Sequence, residues 1–304
     1  MSTEGGTKAV VAALLANLGI AASKFGAFAV TGSSSMLSEA VHSVADSGNQ
    51  VLLLFGGRRA KREATSTHQF GYGRVRYVYG FVVSIVLFTL GGLFALYEGW
   101  HKFLHPEGVG DTRIALAVLA VAIGLETLSF RTAVREANKS RGDRSMLTFV
   151  RDARQPELPV ILLEDAGALV GLLLALIGVG AATITGDARW DGLGAIGVGL
   201  LLVVIAVFLA IEMASMLVGE AALPSEQEAI RTALEGSALV DRVIHLRTLH
   251  VGPDELLVAA KIAVTGSETA AGVARGIDDA ERALRERVPS AKYVFLEPDL
   301  DRLL

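Results

Sequence analysis

A stripe of polar side chains lies in the segment SEAVHSVADSGNQ, within an otherwise apolar part of the chain. Its members are spaced three, four and three residues apart: Glu39, His42, Asp46 and Asn49. At about 100° per residue, all four fall within an arc of roughly 80° on one helix face. His42 and Asp46 are one turn apart, so both side chains can reach the same ion. An imidazole and a carboxylate suit a borderline divalent cation such as Zn²⁺.

A second acidic pair lies further along the chain, in the apolar run VILLEDAGALVG. Asp165 is expected to meet the same ion, whereas its neighbour Glu164 points about 100° away around a helix. Asn17 is expected to complete the coordination or to orient a ligand. Glu126 and Glu98 are weaker candidates, because a position near a membrane surface explains each equally well. A polar seam that only joins helices is the alternative, but ionisable groups on two apolar segments favour a functional site.

The elements that must position these residues are apolar segments long enough to cross a membrane. The 304-residue chain is 52% hydrophobic and has a mean hydropathy of +0.48. A hydrocarbon core of about 30 Å requires about 20 helical residues. Six segments are therefore predicted to be transmembrane helices: 9–30, 36–57, 77–99, 113–131, 158–182 and 191–218. The second is the least hydrophobic, because it contains the polar stripe.

Positive charge is concentrated in alternate connections between these segments. Residues 58–76 contain six Lys or Arg and one acidic residue, and residues 131–157 contain seven Lys or Arg. By the positive-inside rule, both basic connections and both termini are predicted to be cytoplasmic. The first apolar run is interpreted as a span rather than as a removed signal peptide. The brevity of the chain favours a prokaryotic plasma (inner) membrane.

Residues 220–304 differ in character from residues 1–219, which are predicted to form the transmembrane domain. Helical patterns and β-like runs follow one another in the order αββαβ: 224–236, 241–250, 255–264, 268–288 and 293–298. This order predicts a small cytoplasmic α+β domain in which one helical layer covers a three-stranded sheet.

The composition disfavours several classes of function. Cysteine is absent, so disulfides and thiolate metal ligands are excluded. The formal charge of −4 is spread along the chain, and no basic surface indicates nucleic-acid binding. The chain has no HExxH motif and no separate nucleophile beside the polar stripe, so it is not expected to be an enzyme.

Several of these segments together resemble the cation diffusion facilitator family of metal/proton antiporters. The resemblance lies in SSSMLSEAVHSVADSGNQ, the basic connection with THQFGYGRVRY, LLEDAGALVG and the C-terminal HLRT…EP pattern. It covers nearly the whole chain. It implies six transmembrane helices, a ferredoxin-like cytoplasmic domain and a homodimer in the lipid bilayer. It also implies export of Zn²⁺ or a related ion in exchange for protons, with the metal as substrate and no prosthetic group.

Within this resemblance, His42, Asp46 and Asp165 match the family's metal ligands on the second and fifth spans. Zinc-transporting members usually have a histidine at the position of Ile161, which cannot coordinate. Glu164, Asn17 or water is therefore considered as the missing ligand, and the chain resembles the branch with a Glu-Asp pair on the fifth span. Mn²⁺, Co²⁺, Ni²⁺ and Fe²⁺ remain alternative substrates, and a metal-sensing or scaffold protein without transport remains an alternative function.

Two auxiliary metal sites of the family are only partly matched. In the basic connection, His68 matches one ligand, but Thr65 and Tyr72 stand where other members have Asp and His. In the C-terminal domain, Lys261 replaces a ligand histidine close to three matching positions: His245, His250 and Glu297. This domain is therefore expected to serve dimerisation rather than metal binding.

Overall fold

The computed structural model describes the chain over four ranges: 3–31, 34–106, 112–264 and 269–299. The chain divides into two compact units. The membrane unit comprises Met1–Arg59 and Val75–Ala214, and the C-terminal unit comprises Ala60–Arg74 and Ser215–Leu304. The predicted domain division between residues 219 and 220 stays a prediction.

Long helices make up most of the membrane unit. Their bounds are α1 Thr3–Thr31, α2 Ser34–Ala60, α3 Val75–Val86, α4 Phe94–Leu104, α5 Thr112–Arg141, α6 Met146–Asp152, α7 Glu157–Thr185 and α8 Arg189–Val218. The π-helical stretch Leu87–Leu93 joins α3 to α4, so the third predicted span is one continuous helical segment. The short α6 was not predicted. Its N-cap is Ser145, whose hydroxyl accepts the Thr148 N–H at 3.1 Å.

Five of the described helical segments are long and apolar enough to cross a membrane: Gly6–Val30, Val75–Leu104, Arg113–Arg141, Glu157–Thr185 and Arg189–Val218. They correspond to five of the six predicted spans, so the chain is a multi-pass membrane protein. α2 has the necessary length, with 27 residues, but its polar stripe lowers its hydropathy. Its crossing of the membrane stays a prediction.

Small side chains let α1, α5 and α7 pack against one another. Ala9 and Ala13 of α1 are 1% exposed, and Ala133 and Ala137 of α5 are completely buried. Because lipid tails are as apolar as the helices, close packing of this kind is what holds membrane helices together.

Glycines bring the third span into direct backbone contact with α8. Two pairs face each other, Gly92 with Gly199 and Gly99 with Gly192. A Cβ on either Gly99 or Gly192 would lie 2.9 Å from the carbonyl oxygen of the other. No side chain larger than hydrogen fits there, so the two segments form a close antiparallel pair.

The C-terminal unit has the predicted αββαβ order. Its elements are α9 Pro224–Glu235, β1 Val240–Gly252, β2 Glu255–Val264, α10 Ala270–Arg287 and β3 Ala291–Asp299. β2 is the central strand and pairs with β1 in antiparallel and with β3 in parallel orientation. A helical layer therefore accompanies a three-stranded sheet, as the order of the patterns predicts.

Alternation along β2 separates the two faces of this sheet. On one face, Leu256, Val258 and Ile262 are completely buried and pack with residues such as Ile230 of α9 and Leu284 of α10. The opposite face, called here the open face, includes Ala259 and Lys261 of β2. The core of the unit thus lies between the sheet and its two helices.

The basic connection Ala60–Arg74 packs within the C-terminal unit. The Phe70 ring meets Tyr293 of β3 edge-on, with 5.1 Å between the ring centroids. Arg74 Nη2 donates to the carbonyl oxygen of His250 at 3.4 Å. Gly73 approaches Gly252 so closely that a Cβ on Gly73 would lie 2.7 Å from the Gly252 Cα. This connection is therefore part of the fold of the C-terminal unit.

Candidate metal centre

The polar stripe lies on α2, as its spacing predicts. The side chains of Glu39 and His42 lie outside the described residues, so the assignment of His42 as a ligand stays a prediction. Asp46 is half-buried, and Asn49 and Gln50 are 1% and 0% exposed. The described part of the stripe thus faces the interior of the membrane unit.

Glu164 of α7 is held by two amides of α2. Asn49 Nδ2 donates to Glu164 Oε1 at 3.3 Å, and Gln50 Nε2 donates to Glu164 Oε2 at 3.0 Å. Asn17 of α1 donates its Nδ2 hydrogen to Gln50 Oε1 at 3.3 Å and so joins the network through Gln50. Three helices therefore meet at one buried carboxylate.

Asp165 faces a different neighbour, α5. Ser129 Oγ donates to Asp165 Oδ2 at 2.7 Å, and the carboxyl groups of Asp165 and Glu126 interact electrostatically. Both carboxyl groups are buried, at 1% and 3% exposure. Two ionised carboxylates this close would repel each other in a region of low dielectric constant, and a proton on one of them would remove that repulsion.

The adjacent acidic residues therefore serve different sides of α7, in agreement with the predicted rotation of about 100°. Glu164, rather than Asp165, is the residue that meets the α2 amides. Asp46 interacts electrostatically with both Glu164 and Glu126. These contacts bring α2, α5 and α7 to one buried acidic centre.

Glu126 is a weaker candidate by sequence, yet it lies in this buried acidic centre. Its predicted span ends at residue 131, which puts Glu126 near a helix end. The helix continues to Arg141, and Glu126 lies at its middle, buried against Asp165. The position of Ser129 one turn later on the same face was the available signal.

Among the described side chains, which leave out that of His42, no three His, Asp or Glu groups are placed to hold one metal ion. Asn49 contributes a further oxygen to the centre. Its Oδ1 atom is buried and has no hydrogen-bond partner among the described residues. A buried acceptor of this kind suits a cation, since an oxygen lone pair without a donor is otherwise costly.

The three residues at the positions of the first auxiliary site, Thr65, His68 and Tyr72, contact one another directly. The backbone N–H of His68 donates to Thr65 Oγ1 at 3.1 Å, and that hydroxyl lies 3.4 Å from Tyr72 Oη. The rings of His68 and Tyr72 lie 4.5 Å apart. Hydrogen bonds and a ring contact hold these three residues together, and His68 is the one imidazole among them.

In the C-terminal unit, strand register separates the candidate residues. His245 and Glu297 both flank Lys261 on the open face, whereas His250 pairs with Leu256 on the helix-covered face. His245 and His250 therefore cannot share an ion.

Lys261 lies between His245 and Glu297 in the sheet and carries a positive charge. Its Nζ lies 2.6 Å from Asp299 Oδ2 and 3.6 Å from Glu297 Oε1. The hydrogen bond to Asp299 raises the pKa of Lys261 above its usual value. A charged ammonium beside Glu297 disfavours a metal cation there.

Comparison with known proteins gives a consistent assignment. The cation efflux transmembrane domain matches residues 10–218. The chain is 30% identical over 268 residues to the mitochondrial proton-coupled zinc antiporter SLC30A9 of Xenopus laevis, covering 88% of this chain and 48% of that protein. It is 25% identical over 292 residues to the cation-efflux pump FieF of Pectobacterium atrosepticum, covering 95% of this chain and 91% of that protein.

Among solved structures, a nickel form of the MamM CTD is 20% identical, covers 26% of this chain and has a TM-score of 0.25. The chain spans about half the length of the SLC30A9 relatives. The transmembrane-domain match covers more than half of the chain, including the polar stripe and the acidic pair. The chain belongs to the cation diffusion facilitator family.

Proposed function

We propose that this protein exports a divalent transition-metal ion from the cytoplasm in exchange for protons, and that Zn²⁺ is the substrate it suits best. The main support is Glu164, a buried carboxylate held by α2 amides inside an apolar helix bundle. Ionisable groups at such depth are costly and usually serve an ion pathway. The names of the zinc antiporter and the cation-efflux pump support the same function.

The proposed ligands come from two helices. His42 and Asp46 are contributed by α2 and Glu164 by α7, and the buried Oδ1 of Asn49 supplies an amide oxygen. Ile161 is completely buried among apolar residues, where it has a packing role. An imidazole favours Zn²⁺, and the oxygen ligands would also accept Mn²⁺, Co²⁺, Ni²⁺ or Fe²⁺.

Asp165 completes the proposed centre from the α5 side. Asp165 and Glu126, which are both buried, would share a proton next to the metal ligands. A divalent ion bound at Asp46 and Glu164 repels that proton, because both positive charges share a region of low dielectric constant. The centre would then hold either the metal ion or the proton but not both. This is the requirement for exchanging metal ions for protons across the membrane.

Transport would follow an alternating-access cycle around this centre. The ion binds from the cytoplasm to deprotonated ligands, the bundle opens outward, and external protons displace the ion. The protein would act as a homodimer in a prokaryotic plasma membrane, with both termini cytoplasmic and without enzymatic activity. Asn17 would orient Gln50, and through it Glu164, rather than bind the ion.

The test is metal uptake into proteoliposomes under an imposed pH gradient, comparing Zn²⁺, Mn²⁺, Co²⁺ and Ni²⁺. Asp46→Ala and Asp165→Ala should abolish proton-dependent Zn²⁺ flux. Asp143→Ala removes an exposed carboxylate from the connection between α5 and α6 and should leave flux unchanged. Normal flux in Asp46→Ala would contradict the ligand assignment, and normal flux in Asp165→Ala would contradict the proton role of Asp165.

A metal-sensing or scaffold protein without transport is the second candidate. It is favoured by the described side chains, among which no three ligating groups converge. Absence of flux for all four ions, in protein that is folded and dimeric, would select this alternative.

A further inference from the structure

Two histidines at the end of α4 lie outside the centre described above. His101 is in the last turn of α4, and His105 follows Leu104 as the C-cap. The backbone N–H of His105 donates to the carbonyl oxygen of His101 at 2.9 Å, which fixes the local backbone. Both side chains are exposed. Four residues of spacing put them on one face of the helix.

The two imidazole rings are already at a separation that suits chelation. Their centroids lie 4.9 Å apart, and the ring planes are inclined by 31°. Two imidazoles bound to one tetrahedral ion, each with a metal–nitrogen bond of about 2.1 Å, have centroids about 5 Å apart. Little movement is therefore needed for one nitrogen of each ring to reach a common ion.

The surroundings of the pair also favour a cation. The C-terminal end of a helix carries a partial negative charge from its last carbonyl groups. The nearby ammonium of Lys102 is neutralised by two carboxylates, Glu98 Oε1 at 3.3 Å and Asp191 Oδ2 at 3.4 Å. The two imidazoles therefore lie next to a partial negative charge that attracts a metal cation. The ammonium of Lys102 repels such a cation little, because two carboxylates neutralise it.

We propose that His101 and His105 bind a divalent transition-metal ion such as Zn²⁺ at a second site, separate from the Asp46–Glu164 centre. Water completes the coordination, so the ion exchanges quickly. The site does not depend on transport by the chain. On the predicted topology, the end of α4 lies on the outer side, where exported ions would leave.

The experiment is isothermal titration of the detergent-solubilised full chain with Zn²⁺, in an Asp46→Ala background that disables the buried centre. His101→Ala/His105→Ala should lower the Zn²⁺ stoichiometry by one. The control, Glu63→Ala/Asp143→Ala, removes two exposed carboxylates elsewhere and should leave this binding in place. Size-exclusion profiles and thermal unfolding verify that all variants are folded.

Unchanged binding in His101→Ala/His105→Ala would overturn the proposal. An equal loss in the control would also overturn it, because the metal would then be held by scattered surface groups. Proteoliposome flux in Asp46→Ala tests the transport function alone, so the two proposals can fail independently.

Discussion

The carboxylate of Glu164 accepts hydrogen bonds from two amide groups of α2, whereas the carboxyl group of Asp165 accepts one from the Ser129 hydroxyl of α5 and interacts electrostatically with Glu126. Amide donors stabilise an ionised carboxylate, whereas a proton shared between two carboxyl groups would remove the repulsion between them. Two adjacent residues of α7 can therefore take different roles, one toward the metal and one toward the proton.

Glu126→Gln tests this division of roles. The glutamine amide can still donate to Asp165, so the fold should persist without a titratable proton at that position. We expect Zn²⁺ binding to remain and flux driven by the pH gradient to fall by at least about tenfold, because a general acid–base group typically contributes this much or more. Binding is measured by titration and flux in proteoliposomes. Undiminished flux would contradict a proton role for Glu126.

Residue spacing was sufficient to predict part of the centre. Asp46 and Asn49 share a face because of the helical period, and the separation of Glu164 from Asp165 follows from the same period. The ligand role of His42 stays a prediction. The amide bonds of Gln50 and the pairing of Glu126 depend on how α2, α5 and α7 rotate against one another. The residue pattern within one helix does not indicate how that helix is rotated against its neighbours.

At the scale of elements, the lengths of the apolar segments predicted five of the spans. Changes in the spacing of apolar residues along the chain predicted the αββαβ order of the C-terminal unit. Helix ends were less predictable. α5 continues to Arg141, ten residues past its predicted end at 131, because the polar residues that follow the apolar run still favour a helix. α6 was missed because seven residues are too few to show a periodic apolar face.

The glycine contacts between the third span and α8 give a prediction for single substitutions. In Gly99→Ala, the new Cβ would lie 2.7 Å from Ile196 N and 2.9 Å from the Gly192 carbonyl oxygen, so two backbones must separate. We expect a loss of about 1–3 kcal/mol in the free energy of unfolding. The measurement is thermal unfolding in detergent.

Gly124→Ala is the matched control, because no heavy atom lies within 4 Å of its added Cβ. It should be neutral or stabilising by up to about 1 kcal/mol, since alanine favours a helix. Equal unfolding temperatures for the two variants would mean that the α8 contact does not require glycine.

At the scale of the whole molecule, the connection Ala60–Arg74 is part of the C-terminal unit, although the sequence separates them by the third to sixth spans. The charge pattern of this connection predicted only its side of the membrane. Its packing on the C-terminal unit could not be predicted, because Phe70 and Tyr293 show no local pattern that pairs them.

Phe70→Ala should loosen this packing. The edge-to-face contact with Tyr293 contributes about 0.5–1.5 kcal/mol beyond the buried area. We expect faster amide hydrogen exchange in residues 60–74 and unchanged exchange in the core of β2. Phe295→Ala removes an aromatic ring from the same strand, at 57% exposure, and serves as the control. Exchange in residues 60–74 that rises equally in both variants would count against the Phe70 contact.

Because residues 60–74 belong to the C-terminal unit, the chain passes between the two units three times, after Arg59, Arg74 and Ala214. A unit attached at three points transmits force differently from one suspended on a single linker. One of these points is the end of α2, the helix that carries the polar stripe. A force applied to the C-terminal unit would therefore reach the helix with the polar stripe directly through the covalent chain.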